Sequence, residues 1–234
     1  MKAFFQLHSD LPREGPGEPA DVAWAVERAG ATSAARVLDA GCGPGADLAA
    51  LLAAMPDARI TGIDGQAHFI ESARRAHPDG ARLDLQVGDM AAAKGPFDFI
   101  WCAGALYFLG LETGLRTFQE KLGQGGAIAF SEPCYFTQDP SPGAKAFWAG
   151  EDVEIRDEDR LVAAVENTGF EVLGTRRLSD AAWEAYYTPM DARIAELRPG
   201  ASPELSAVLD DGLAEAAGWR AHRAETGYLL VVAR

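Results

Sequence analysis

A short apolar run that ends in an aspartate and then breaks into three closely spaced glycines, Arg36–Leu48 (RVLDAGCGPGADL), constrains this chain more than any other stretch. Val37 and Leu38 read as the end of a buried strand, Gly41, Gly43 and Gly45 as a tight turn, and 46–54 as a helix leaving it. Glycine serves such a turn twice: positive φ costs it little, and the missing Cβ lets the backbone approach a ligand. The first N–H groups of the helix lack partners and face the turn, which suits polar or anionic ligand groups. The run Gly41-Cys42-Gly43-Pro44-Gly45-Ala46 satisfies G-x-G-x-x-G/A, and Asp64 follows about twenty residues on, as in a dinucleotide fingerprint. Taken alone, that spacing does not separate NAD(P) from other nucleosides.

Strand and helix alternate from there. The stretch 58–64 (ARITGID) reads as a second strand ending at Asp64, and 66–77 as a helix packing through Phe69, Ile70 and Ala73. A third strand, 83–90, runs into Gly88-Asp89-Met90, and a fourth, Phe97–Trp101, is apolar enough to be covered on both faces. A helix over 112–122, stopped by Gly123, leads through Gly125-Gly126 into a fifth strand, 127–133. An acidic-started helix over 157–168, a sixth strand over 170–178 and the C-terminal GYLLVVAR complete the set. Ahead of them all, a helix starts at Asp21 and stops at Gly30.

This alternation predicts an α/β fold with a doubly wound, seven-stranded, mostly parallel sheet. One domain, 1–234, is expected, with an N-terminal arm (1–20) and a helical insert (179–226) before the last strand. Prolines and glycines in LPREGPGEP leave His8, Arg13 and Glu14 on an irregular arm. The insert should hold two helices, one carrying Trp183, Tyr186, Tyr187, Met190, Ile194 and Leu197 at helical spacing. That stripe either fills the core or turns some of its rings toward a pocket.

The chain has 234 residues, 48% of them hydrophobic, enough for a substantial core. Its net charge of −14, from 21 basic and 35 acidic residues, opposes nucleic acid and anionic membranes and favours a small-molecule substrate. No apolar stretch approaches the ~20 residues that span a membrane and no signal-peptide pattern opens the chain, so a cytoplasmic location is expected. Cys42, Cys102 and Cys134 lack C-x-x-C spacing, which fits a reducing compartment and no metal site. They fall at or just past the ends of strands one, four and five. Convergence of three thiols on a thiophilic ligand therefore stands beside the ordinary reading, buried small hydrophobes.

The ordered series DAGCGPG, Asp64, GDM, FDFIW and LGQGGAIAF, from Arg36 to Phe130, resembles the class I S-adenosyl-L-methionine (SAM)-dependent methyltransferases. Asp39 before the glycines, giving D-x-G-x-G-x-G, is similar to the first motif of that family. The opening FxxHSxLPRxGPG resembles the start of a group of bacterial small-molecule methyltransferases. The resemblance implies SAM as cofactor, with its amino-acid end at Asp39, Gly41, Cys42, Gly43 and Gly45, and its ribose at Asp64 beside Gly65 and Gln66. It also implies adenine at Asp89 and Met90, the sulfonium near Cys102 and Ala103, and Arg13 on an arm folded over the ligand. Ala103 stands where an acidic residue is expected in similar chains.

Methyl transfer to an O or N of a small molecule needs no protein nucleophile; a neutral amine or carbanion needs only proximity, whereas a hydroxyl acceptor would use a base, for which Glu132, His8 and Tyr107 are candidates. Substrate contacts are expected from Tyr107, Tyr135, Trp183, Tyr186 and Tyr187. Each has a plainer alternative: Asp64 as a helix cap, Asp89 as a turn residue, Glu132 as a loop cap and the aromatics as core. Two other functions remain open at this point, a non-catalytic SAM-binding or partner-binding protein and an NAD(P)-dependent oxidoreductase, although no Y-x-x-x-K occurs. Either a monomer or a homodimer fits the sequence.

Overall fold

The computed structural model describes residues 2–78, 80–150 and 153–234; position 1 of the expected arm lies outside that set. The chain runs α1 (Lys2–His8), α2 (Pro19–Ala29), β1 (Arg36–Ala40), α3 (Leu48–Ala54), β2 (Arg59–Asp64), α4 (Ala67–Ala76), β3 (Leu83–Val87), β4 (Phe97–Ala103) and α5 (Leu111–Gln119). It continues with β5 (Leu122–Tyr135), α6 (Pro142–Phe147), β6 (Arg156–Asp157), α7 (Glu158–Glu166), β7 (Val172–Arg177), α8 (Asp180–Leu197), α9 (Pro203–His222) and β8 (Thr226–Ala233).

These strands form one sheet in the order β3-β2-β1-β4-β5-β8-β7, with β6 beside the end of β5. All pairs are parallel except those that β8 makes with β5 and β7. The chain winds outward from β1 to β3, then returns to the other side of β1 at β4. A crevice opens outside the carboxyl ends of those two strands, where the direction of winding reverses. Alternation along β4 sends Phe99 and Trp101 into one hydrophobic layer and Ile100 and Cys102 into the other. The first layer is covered by α2, α3 and α4, the second by α5 and α7.

Several expected boundaries hold for visible reasons. Gly30 ends α2 in the left-handed conformation at φ 63°. Ser179, Ser202 and Asp157 accept hydrogen bonds from the first turns of α8, α9 and α7. The insert holds the two expected helices, and the stripe on α8 is buried from Trp183 to Ile194.

Two expectations need correction and one an addition. The arm is not irregular throughout: KAFFQLH precedes the first proline, forms α1, and buries Leu7 against Gly212 of α9. His8 ends that helix, and only the chain beyond it is irregular. The expected seven strands form the path of the sheet, and the two-residue β6, too short to show any periodicity, adds an eighth beside β5. Finally, α5 stops at Gln119, and β5 begins at Leu122 with a register shift opposite Phe97–Phe99, so Gly123 lies in a strand and not at a helix end.

Candidate active site

A cavity of about 730 Å³ occupies the crevice. Its floor is the glycine turn after β1 and the ends of β2, β3 and β4; its roof comes from α1, the arm that follows it, α6, α8, α9 and the start of β8.

The floor is tied together by backbone bonds. Gly41 and Cys42 N–H both donate to the Ile63 carbonyl, at 2.8 and 3.1 Å, and Gly45 N–H donates to Cys42 O at 2.9 Å. Asp64 accepts from Gly43 N–H at 3.0 Å and from Gln66 N–H at 2.8 Å. Asp64 is not the cap of α4, whose N-cap position is Gln66 without a side-chain cap; its two bonds tie the turns together and do not exhaust the side chain. A carboxylate offers about four lone-pair sites, and roughly two remain for a ligand in the cavity it lines. A Cβ on Gly43 (φ 51°) would meet nothing within 4 Å, so the turn presents bare backbone to the cavity there.

Acidic groups crowd this floor. Asp39 is buried, and desolvation, with Asp47 and Asp64 adding like charge, holds its carboxyl well above the usual range. Asp47 accepts from Trp101 Nε1 at 2.9 Å and from Arg13 Nη2 at 3.3 Å. Asp89 caps the short turn at Met90–Ala92 by accepting from Ala91 N–H at 2.8 Å, and both Asp89 and Met90 line the cavity.

On the roof, His8 Nδ1 lies 2.6 Å from Glu14 Oε2, and the imidazole stacks on Phe4 with centroids 4.0 Å apart. Burial raises the Glu14 carboxyl, with the His8 hydrogen bond opposing that shift; its Oε1 is buried without a hydrogen-bond partner. Trp183, Tyr186 and Tyr187 face the same space as Trp148, Tyr228 and Tyr107. Trp148 stacks on Tyr228 at 5.9 Å and gives its indole N–H to Thr226. Tyr107 shares a hydrogen bond with the Tyr228 hydroxyl.

Of the residues expected from sequence, Asp39, Gly41, Cys42, Gly43, Asp64, Gly65, Gln66, Asp89, Met90, Ala103, Arg13, His8, Tyr107, Trp183, Tyr186 and Tyr187 all line this one cavity. Four do not. Gly45 faces away: a Cβ there would lie 2.9 Å from Leu48 Cδ1 and 3.0 Å from Ala73 Cβ, so its role is to let α3 and α4 close on the turn. Cys102 points into the second hydrophobic layer, away from Trp101 and the cavity. Glu132 shares that face of β5 with Phe130 and Cys134. Tyr135 lies past Pro133, the last residue of β5 that reaches the cavity.

Convergence of three thiols is also overturned. All three cysteines are buried, and burial pushes each thiol up. Among the described residues no group of three or more His, Cys, Asp or Glu is placed to hold a metal ion.

Glu14, Asp47, Trp101, Tyr228 and Glu215 also line this cavity, and sequence reasoning did not name them as candidates. Asp47 carried a readable signal, an acid at the start of the helix leaving a glycine turn; a lone tyrosine in the apolar strand β8 carried none.

Residues 37–126 match the methyltransferase domain family. That match spans less than half of the chain. Trans-aconitate 2-methyltransferase of Azoarcus sp. is 36% identical to it over 103 residues, covering 43% of this chain and 40% of that protein. The namesake from Rhizobium etli is 23% identical over 163 residues, covering 69% and 58%. The chain thus matches about two fifths of the length of the Azoarcus relative. A SAM-dependent methyltransferase from Geobacter sulfurreducens, solved with S-adenosyl-L-homocysteine, superposes with a TM-score of 0.86 at 19% identity, over 100% of this chain and 98% of its own. One from Thiobacillus denitrificans gives 0.85 at 20% identity, with the same coverage. These likenesses show that the fold of those two proteins extends across the whole chain. Among the described residues, no helix is long and apolar enough to cross a membrane.

Proposed function

We propose that this protein transfers the methyl group of SAM to a small molecule, and the observation that carries this reading is the charge of the glycine turn. A dinucleotide would set its pyrophosphate against the turn and the start of α3, where anions are ordinarily favoured. Here Asp39, Asp47 and Asp64 gather at that place, and Asp47 occupies the N-cap position of α3. A pyrophosphate would meet like charge, whereas a nucleoside bearing an ammonium and a sulfonium would relieve it. That supports SAM over NAD(P).

The residues fit such a ligand. Asp64 has capacity for the ribose hydroxyls, Met90 and Phe69 give apolar cover beside Asp89, and the bare backbone at Gly43 admits close approach. Asp39 would answer the ammonium, and Arg13, on the folded-back arm, the carboxylate. Once bound, SAM supplies an electrophilic methyl group on sulfur. The protein's part is alignment and exclusion of water by the roof of α1, α8 and α9. Glu132, buried on the far face of β5, has no part in that chemistry.

A thermal-shift panel with SAM, S-adenosyl-L-homocysteine, NAD and NADP tests the reading. The first two should raise Tm progressively with concentration, as mass action requires, and the dinucleotides should not. Stabilisation by NAD(P) alone would make the turn a dinucleotide site, and no response to any of the four would leave a partner-binding role.

A further inference from the structure

We propose that the methyl acceptor is an amine, bound among aromatic faces and carboxylates and released as a methylated ammonium ion, with Glu14 taking its proton. This rests on the methyltransferase reading. Beyond the glycine turn the chamber is walled by Trp148, Trp183, Tyr186, Tyr187 and Tyr228, five rings buried to 8% exposure or less. Ring faces carry negative potential and attract cations most strongly where water is excluded. The charged side chains on this half are Glu14 and, at the more exposed mouth, Glu215, which accepts from the Tyr187 hydroxyl at 3.0 Å.

Among the described residues, Arg13 is the one Lys or Arg that lines the cavity, and its guanidinium is engaged by Asp47. A polycarboxylate such as the acceptor named for the Azoarcus relative would find the carboxylates of Glu14 and Glu215 on this half, and the one lining cation already engaged. An amine meets the opposite balance. Charge and ring chemistry therefore agree.

Glu14 sits where the two halves meet, within electrostatic reach of Asp64 on one side and Tyr186 on the other. Its Oε2 is held by His8, while Oε1 is buried with no partner, an acceptor left for a ligand N–H. An ammonium group entering the chamber gives a proton to Oε1 and becomes a neutral amine. Its lone pair forms the N–C bond as the C–S bond breaks, and the electrons of that bond stay on sulfur. Nitrogen is left cationic, among rings that favour a cation, and Glu14 returns its proton to solvent.

Calorimetry on the full chain saturated with S-adenosyl-L-homocysteine tests this with three probes: choline, its uncharged tert-butyl isostere, and tricarballylate. Choline should bind about tenfold tighter than the isostere, and tricarballylate weakest. Glu14→Gln should weaken protonated dimethylaminoethanol, which carries the N–H that choline lacks, about fivefold. If S-adenosyl-L-homocysteine binds but the isostere or tricarballylate matches choline, the amine proposal falls and the cofactor reading stands. If S-adenosyl-L-homocysteine itself does not bind, both fall. The comparison of probes on the unmodified protein decides the matter even if Glu14→Gln does not fold.

Discussion

Glu132 shows how a single residue can be well placed along the chain and still be turned away from the chemistry. Its strand ends at the right edge, but the period-two alternation of β5 aims the carboxyl into the layer of Phe130 and Cys102. There burial pushes it from 4.5 up to about 8, only partly offset by Arg156. Raised in the folded state, this group keeps its proton longer than in the unfolded chain. Its contribution to stability is therefore fully present below pH 4.5 and is lost as pH rises through about 8. Across that window, chemical denaturation should show stability falling with a slope of up to about 1.4 kcal/mol per pH unit from this group. Glu132→Gln should remove that part of the slope; an unchanged slope would mean that Glu132 ionises freely in the fold. The places of Asp39 and Asp64 on the cavity were legible because a motif fixes both position and direction. Glu132 was not, since an isolated acid at a strand end gives its position but leaves its face to be settled by register.

At the level of elements, the turn between β1 and α3 assigns different duties to glycines two residues apart. Gly43 (φ 51°) borders open space, whereas Gly45 (φ 86°) touches Leu48 and Ala73. Both substitutions to alanine carry the left-handed backbone penalty of about 1–2 kcal/mol. Gly45→Ala adds overpacking between α3 and α4, and should lose about 1–3 kcal/mol more in denaturant unfolding than Gly43→Ala. Gly43→Ala puts its methyl into the cavity, and should be the one of the pair that weakens ligand binding. Equal stability losses with equal affinities would contradict this division. The core elements were readable because period-two and helical patterns are long there and the punctuating glycines are plain. β6 and the start of β5 were not: a two-residue strand has no period, and the register shift at Phe97–Phe99 is set by the partner strand.

As a whole molecule, the protein closes its crevice with material from distant parts of the chain. Gly17 N–H donates to Ala182 O at 3.1 Å, Arg193 bonds Asp10 at 3.1 Å, and α1 packs on both α8 and α9. The prolines of the arm and the aromatic stripe of α8 were each visible in sequence. Their meeting over one cavity was not, because it depends on contacts between residues far apart in the chain. That meeting gives the site its two halves, an acidic turn below and aromatic faces above. The central claim is that this cavity binds SAM through the strand-end aspartate, and calorimetric titration of S-adenosyl-L-homocysteine into the native protein and Asp64→Ala tests it most directly. The account predicts saturable binding to the native protein and a loss of about 2 kcal/mol or more in the variant, with circular dichroism showing that both are folded. Equal affinity for the two folded proteins, or no binding to either, would contradict it.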